Sequence, residues 1–161
     1  MILGFSTFTW VHVLISLIGI VSGLVVLKGL LASDQMNGWT AVFVVTTALT
    51  SITGFGFPFD RLLPSHMVGI VSLAVLLVTI LARYAFHMRG AWRGIYVVTA
   101  ITALWLNVFV LVAQFFSKVP ALHAIAPTQS EPPFLVAETV VLIVFVGLAI
   151  GAVRKFHPQA I

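Results

Sequence analysis

Long apolar runs constrain this chain more than any other feature. Five follow one another, at roughly Thr7–Leu31, Thr40–Phe57, Ser65–Phe86, Ala91–Ser117 and Pro133–Val153. A helix needs about 20 such residues to cross the hydrocarbon core of a bilayer. The runs are too long for barrel strands, and they lack the sustained apolar–polar alternation that strands show. Only 7% of the 161 residues are charged and 61% are hydrophobic. A soluble domain carries about 25% charged residues, and one of this size cannot hide so much apolar surface. The expectation is an all-α integral membrane helical bundle: one transmembrane domain over residues 1–161, with five transmembrane helices.

The few charges set the expected orientation. Lys28, Arg83, Arg89, Arg93, Arg154 and Lys155 fall on one side of that topology, and Arg61 and Lys118 on the other. Cytoplasmic loops carry the excess of Lys and Arg. The N-terminus is therefore expected outside and the C-terminus in the cytoplasm. The net charge of +4 does not point to nucleic acid, because no arginine-rich run with interleaved aromatics is present. The absence of cysteine excludes disulfides, iron–sulfur clusters and thiol redox chemistry. The first run lacks a cationic flank and exceeds the apolar stretch of a signal peptide, so it is expected to be a retained span.

Several runs carry an internal face. His12, Ser16, Gly19 and Gly23 share one helical stripe, and three of them are small enough for close helix contact. Ala103, Asn107, Val110 and Gln114 share another, so both carboxamides are expected to point inward. The second run is rich in Thr46, Thr47, Thr50, Ser51 and Thr53. Their hydroxyls are tolerated in lipid when they bond back to their own helix. Between the second and third runs lies the most irregular stretch, from Thr53 to His66, with two glycines, two prolines, Asp60, Arg61 and His66. The glycines and Pro58 end one helix and Pro64-Ser65 starts the next. Phe55, Phe57 and Phe59 are expected to pack as a plug there. Trp10, Trp39 and Trp92 fit aromatic belts at span ends. Ala121-Leu122-His123-Ala124 suits a short interfacial turn of helix. The last run holds Glu138 and the pair Gly147 and Gly151.

Two blocks carry a likeness to known sequences. Phe57-Pro58-Phe59-Asp60-Arg61-Leu62-Leu63-Pro64-Ser65-His66 and Ala126-Pro127-Thr128-Gln129-Ser130-Glu131-Pro132-Pro133-Phe134 resemble stretches of an uncharacterised family of small bacterial multi-pass inner-membrane proteins. The resemblance implies a bacterial plasma-membrane location and no particular activity.

Ionisable groups inside a span are costly and mark candidate sites. His12, His66 and Glu138 collect in the outer half of the expected bundle. Asn107 and Gln114 stand on the fourth span, and Asp60 in the outer turn. Three readings of this set remain open. In one, His12, His66 and Glu138, joined by Asp60 or His123, hold a divalent metal such as zinc or iron. No ligand pair at i, i+3 or i+4 supports it. In another, His12 and His66 hold haem b, with Gly19 and Gly69 making room. In the third, His12, His66, Glu138, Asn107, Gln114 and Asp60 line an outward-facing pocket for a small ligand, rimmed by the Gly54–Pro58 break. A structural reading stands beside them, in which the protein is an accessory subunit of a membrane complex. The glycine faces at Gly23 and Gly151 suit packing within the bundle or between copies. Membrane lipids are the expected partners throughout, with Arg83, His87, Arg89 and Arg93 as a cytoplasmic cluster that sets topology. No serine stands with a base and an orienting acid, which excludes serine hydrolysis.

Overall fold

A computed structural model describes residues 6–57 and 64–158. They form six α-helices: α1 Thr7–Ala32, α2 Asn37–Gly54, α3 Pro64–Ile80, α4 Ala91–Lys118, α5 Pro120–Ile125 and α6 Pro132–Lys155. A π-turn, Leu81–Ala85, extends α3. Thr7–Ala32, His66–Ala85, Ala91–Lys118 and Pro132–Lys155 are long and apolar enough to cross a membrane. The chain is a multi-pass helical membrane protein. Phe59, Asp60 and Arg61 lie outside the described residues, so the outer turn and the third phenylalanine of the expected plug are not described.

Besides the short α5, the helix that is not among those four is α2. Its buried residues are Thr40, Phe43, Val44, Thr47 and Ser51, whereas Val42, Val45, Leu49 and Ile52 face outward. Three of the five buried residues carry a hydroxyl and every one of those outward residues is aliphatic. The hydroxyls lower the helix's average hydropathy, and three of them bond back to the helix's own carbonyls. Ser51 donates to the Thr47 carbonyl at 3.0 Å and Thr53 to that of Leu49 at 2.7 Å. Thr46 does the same to Val42 at 2.7 Å.

The centre of the bundle is α4. It packs against α1, α3 and α6, and it buries Tyr96, Val97, Ala100, Ile101, Ala103 and Leu104. In turn, α2 packs between α1 and α3. The close approach of α1 depends on Gly23. A Cβ there would stand 2.5 Å from Leu104 Cδ1 and 2.9 Å from Phe43 Cε2. The helix on the edge is α6. Its inward stripe is narrow, Phe134, Glu138, Phe145 and Ala152, and Gly147 faces open space.

The basic end is held by two arginines. Arg83 is buried. Its guanidinium donates to the Tyr96 hydroxyl at 2.8 Å, to the Gln35 carbonyl at 3.1 Å and to Asn37 Oδ1, and it lies 5.1 Å from the centre of the Tyr96 ring. Of the basic cluster, Arg83 is thus buried and hydrogen-bonded within the bundle, whereas His87 and Arg89 are exposed. The π-turn, closed by Phe86 N–H on the Leu81 carbonyl at 2.9 Å, adds one residue to the helical turn and so rotates the side chains around it. The guanidinium then meets the α1–α2 connection instead of water. Arg93 closes the other helix end. It donates to the carbonyls of Val153, at 3.3 Å, and Phe156, which α6 leaves without intrahelical partners.

The packing at Gly23 predicts a clear contrast. Gly23→Val lowers the stability of the detergent-solubilised protein by about 1–3 kcal/mol, as overpacking does, whereas Gly147→Val leaves the melting temperature unchanged. Thermal unfolding of the two variants beside the parent measures it.

Candidate functional site

The sequence-expected site residues divide among three places. The first lies between α1 and the end of α2. His12 Nδ1 is 2.8 Å from Thr53 Oγ1. The Thr53 hydroxyl already gives its proton to the Leu49 carbonyl, so its oxygen is left to accept. Nδ1–H is therefore the donor, and Nε2 carries the lone pair. Phe57 presents an edge to the His12 ring, with centroids 5.1 Å apart, and packs on Phe8 at 5.0 Å.

The second lies on the other side of α2. His66 is buried, with its ring 5.4 Å from that of Phe55. The phenylalanines of the expected plug thus serve different helices: Phe57 covers His12 and Phe55 covers His66. The two histidines do not converge, because α2 stands between α1 and α3. Among the described residues, no three of His, Asp and Glu come together in a group able to hold a metal.

The third place is where the C-terminal half of α4 meets the N-terminal half of α6. Phe116 packs edge-on against Phe134, with centroids 5.3 Å apart, and Arg93 meets Phe156 at the other end. This antiparallel register sets Glu138 level with Val112 and Ala113. Glu138 shares the buried stripe of Phe134 and Phe145 and is only 9% exposed. Neither of its carboxylate oxygens has a hydrogen-bond partner, and both are shut off from the surface. Gln129, at a positive φ of 58°, reaches the same level, where its Nε2 donates to the Ala113 carbonyl at 2.6 Å. Just outside, Glu131 accepts from the Thr128 hydroxyl at 2.7 Å. That bond holds the Glu131 carboxyl below its usual range.

Asn107 points inward as its stripe implies. Its Nδ2 donates to Thr47 Oγ1 at 2.9 Å. A Cβ on Gly19 would come within 3.4 Å of Thr47 Oγ1 and 3.6 Å of Asn107 Nδ2, so that glycine leaves room for the pair. Gln114 does not follow. It is exposed, which corrects its expected inward direction. Near its C-terminal end α4 turns a different face inward, with Phe116 buried and Val112 and Ala113 packed beside it against Phe134, and Gln114 lies off that face. His123, on α5, is exposed as well.

The network contains residues that sequence reasoning did not place in it. Thr47 was one hydroxyl among several in its run, and only its distance from Asn107 in space singles it out. Arg83 falls in sequence among basic neighbours, and only the fold brings Tyr96 and Asn37 to it. Gln129 carried no signal, since its role depends on a left-handed backbone in the loop.

Compared with known proteins, the chain matches no family model, no curated protein and no solved structure. Its chemistry is therefore read from the residues alone.

The Asn107–Thr47 bond ties α4 to α2 through a buried pair. Asn107→Leu costs about 1 kcal/mol, as the loss of one hydrogen bond to a buried partner does. The double variant Asn107→Leu, Thr47→Val costs less than the sum of the two single changes. A double-mutant cycle of melting curves shows the coupling, and strict additivity would count against it.

Proposed function

We propose that the protein is a five-span protein of the bacterial plasma membrane, N-terminus outside and C-terminus cytoplasmic, whose outer half binds a small ligand at Glu138 without a catalytic step. The carrying observation is the carboxylate itself, buried on a spanning helix with no partner on either oxygen. Leaving a carboxylate unpaired in an apolar setting is among the most expensive arrangements a chain can keep. An ionised carboxylate only accepts hydrogen bonds. Its complement is a small cation with N–H donors, and the α4–α6 seam is where such a ligand enters. Gln129 stands at the same level with a carboxamide oxygen to offer.

The five-span reading draws on both ends of α2. Arg83 joins the α1–α2 connection to the end of the third span. At the opposite end α2 meets His12 of α1 and, through Phe55, His66 of α3. A helix that touches the same ends of two spans runs the same distance as they do. Its aliphatic outer face suits hydrocarbon and its hydroxyl face suits the interior. The excess of Lys and Arg on the Arg83 side supports a cytoplasmic assignment for that end, and the family resemblance of the blocks at 57–66 and 126–134 supports a bacterial plasma membrane. The haem and metal readings draw less support, since His12 and His66 lie on opposite sides of α2.

The ligand reading is tested with a simple amine. n-Butylammonium chloride raises the melting temperature of the purified protein in detergent. At a free concentration a hundredfold above its dissociation constant, the gain is about 2.7 kcal/mol. n-Butanol gives no such gain, and Glu138→Gln abolishes the response to the amine. An equal response from parent and variant would exclude a site at Glu138.

A further inference from the structure

A second feature lies nearer the basic end, on the lipid-facing side of α4 and α6. There the two helices flank an open groove of about 420 Å³. Ile101, Phe145 and Ala149 form its floor, Val98 and Val146 rise as its rims, and Trp105 stands towards its deep end. Its volume falls within the ~300–1,000 Å³ range of small-molecule sites. Along α6 it extends from Leu142 to Arg154, about 18 Å at 1.5 Å per residue. One leaflet of hydrocarbon is about 15 Å deep, half of a ~30 Å core. The groove therefore matches a single leaflet in length and begins at its polar boundary.

The mouth is cationic, and its charge is not in use. Arg154 lines the groove there, is exposed, and makes no hydrogen bond or ion pair among the described residues. Arg93 already serves the carbonyls at the end of α6, so Arg154 is not needed as a cap. The N-terminus of α4 lies at the same end, with its dipole favouring an anion.

We infer that this groove is a binding site for an anionic phospholipid, with one acyl chain between α4 and α6 and the phosphate on the Arg154 guanidinium. A hydrocarbon chain gains little by moving from bilayer to an apolar groove, because both surroundings are apolar. Selectivity therefore comes from the headgroup. A basic residue at the membrane surface is worth about 1 kcal/mol towards an anionic lipid, or roughly a fivefold preference. The site is separate from Glu138 and depends only on α4 and α6 being membrane spans.

Native mass spectrometry of the full chain in mild detergent tests it, titrated with palmitoyl-oleoyl phosphatidylglycerol and with phosphatidylcholine of the same chains. The expected result is one tight phosphatidylglycerol adduct, favoured about fivefold over phosphatidylcholine. Arg154→Gln removes the preference. Ala149→Trp, which fills the floor, removes the adduct. Val146→Trp on the exposed rim does the same without touching the core. Glu138→Gln leaves the preference unchanged, which separates this site from the amine site. Equal binding of the two lipids, survival of the adduct in both tryptophan variants, or its displacement by millimolar inorganic phosphate would overturn the assignment.

Discussion

Hydrocarbon offers no hydrogen bonds, and the whole structure answers to that fact. Every backbone group in a span has to be satisfied within its helix, and every polar side chain has to find a partner inside the bundle or at its ends. The second helix shows how far this goes. Its buried face carries Thr40, Thr47 and Ser51 beside Phe43 and Val44, and its outer face carries Val42, Val45, Leu49 and Ile52, unlike the polar outer face of a helix on the surface of a soluble protein. Average hydropathy makes it the least membrane-like of the five long helices. The direction of its faces suits lipid as well as any of them.

The same constraint explains the basic end. A buried guanidinium with no acidic partner survives because neutral acceptors surround it: a tyrosine hydroxyl, a backbone carbonyl and an asparagine oxygen. The donors of Arg83 and the acceptors of the α1–α2 connection satisfy one another. Arg93 does for the last turn of α6 what Arg83 does for that connection. Two arginines are thus consumed in construction. Arg154 is left over, and with it a positive charge facing the lipid.

Much of this was legible in the sequence. The apolar runs located the helices to within a few residues, because nothing but a helix satisfies so long an apolar backbone. The glycine stripe of α1 was legible because Gly19 and Gly23 recur at helical spacing and leave room for Phe43, Leu104 and the Asn107–Thr47 pair. Glu138 stood out in the sequence because an ionisable group inside a span is costly, and the buried stripe it shares with Phe134 and Phe145 is a matter of packing. What failed was whatever depended on a neighbour. Gln114 obeys the period of its own helix, but α6 chooses a different face of α4 at that level. Arg83 is turned by a π-turn that no local signal announces. The pairing of His12 and His66 looked natural on the sequence because both lie at the same end. The chain places a third helix between them, a fact of packing order that sequence spacing does not encode.

Among the described residues, Glu138 is the ionisable side chain that the bundle buries with neither oxygen hydrogen-bonded. Its partners are missing where the C-terminal half of α4 meets the N-terminal half of α6. The outer placement of that carboxylate rests on α2 crossing the membrane, since a non-crossing α2 would reverse the sidedness of everything after it. The chain has no cysteine, so single cysteines can be placed without interference at Asp34, Arg89 and Ala124, all exposed. The decisive measurement is labelling of Asp34→Cys, Arg89→Cys and Ala124→Cys in intact cells with a maleimide that cannot cross the membrane. A crossing α2 predicts that Ala124→Cys reacts at once, and that Asp34→Cys and Arg89→Cys react only after permeabilisation. Asp34→Cys and Arg89→Cys reacting from opposite sides would contradict the account.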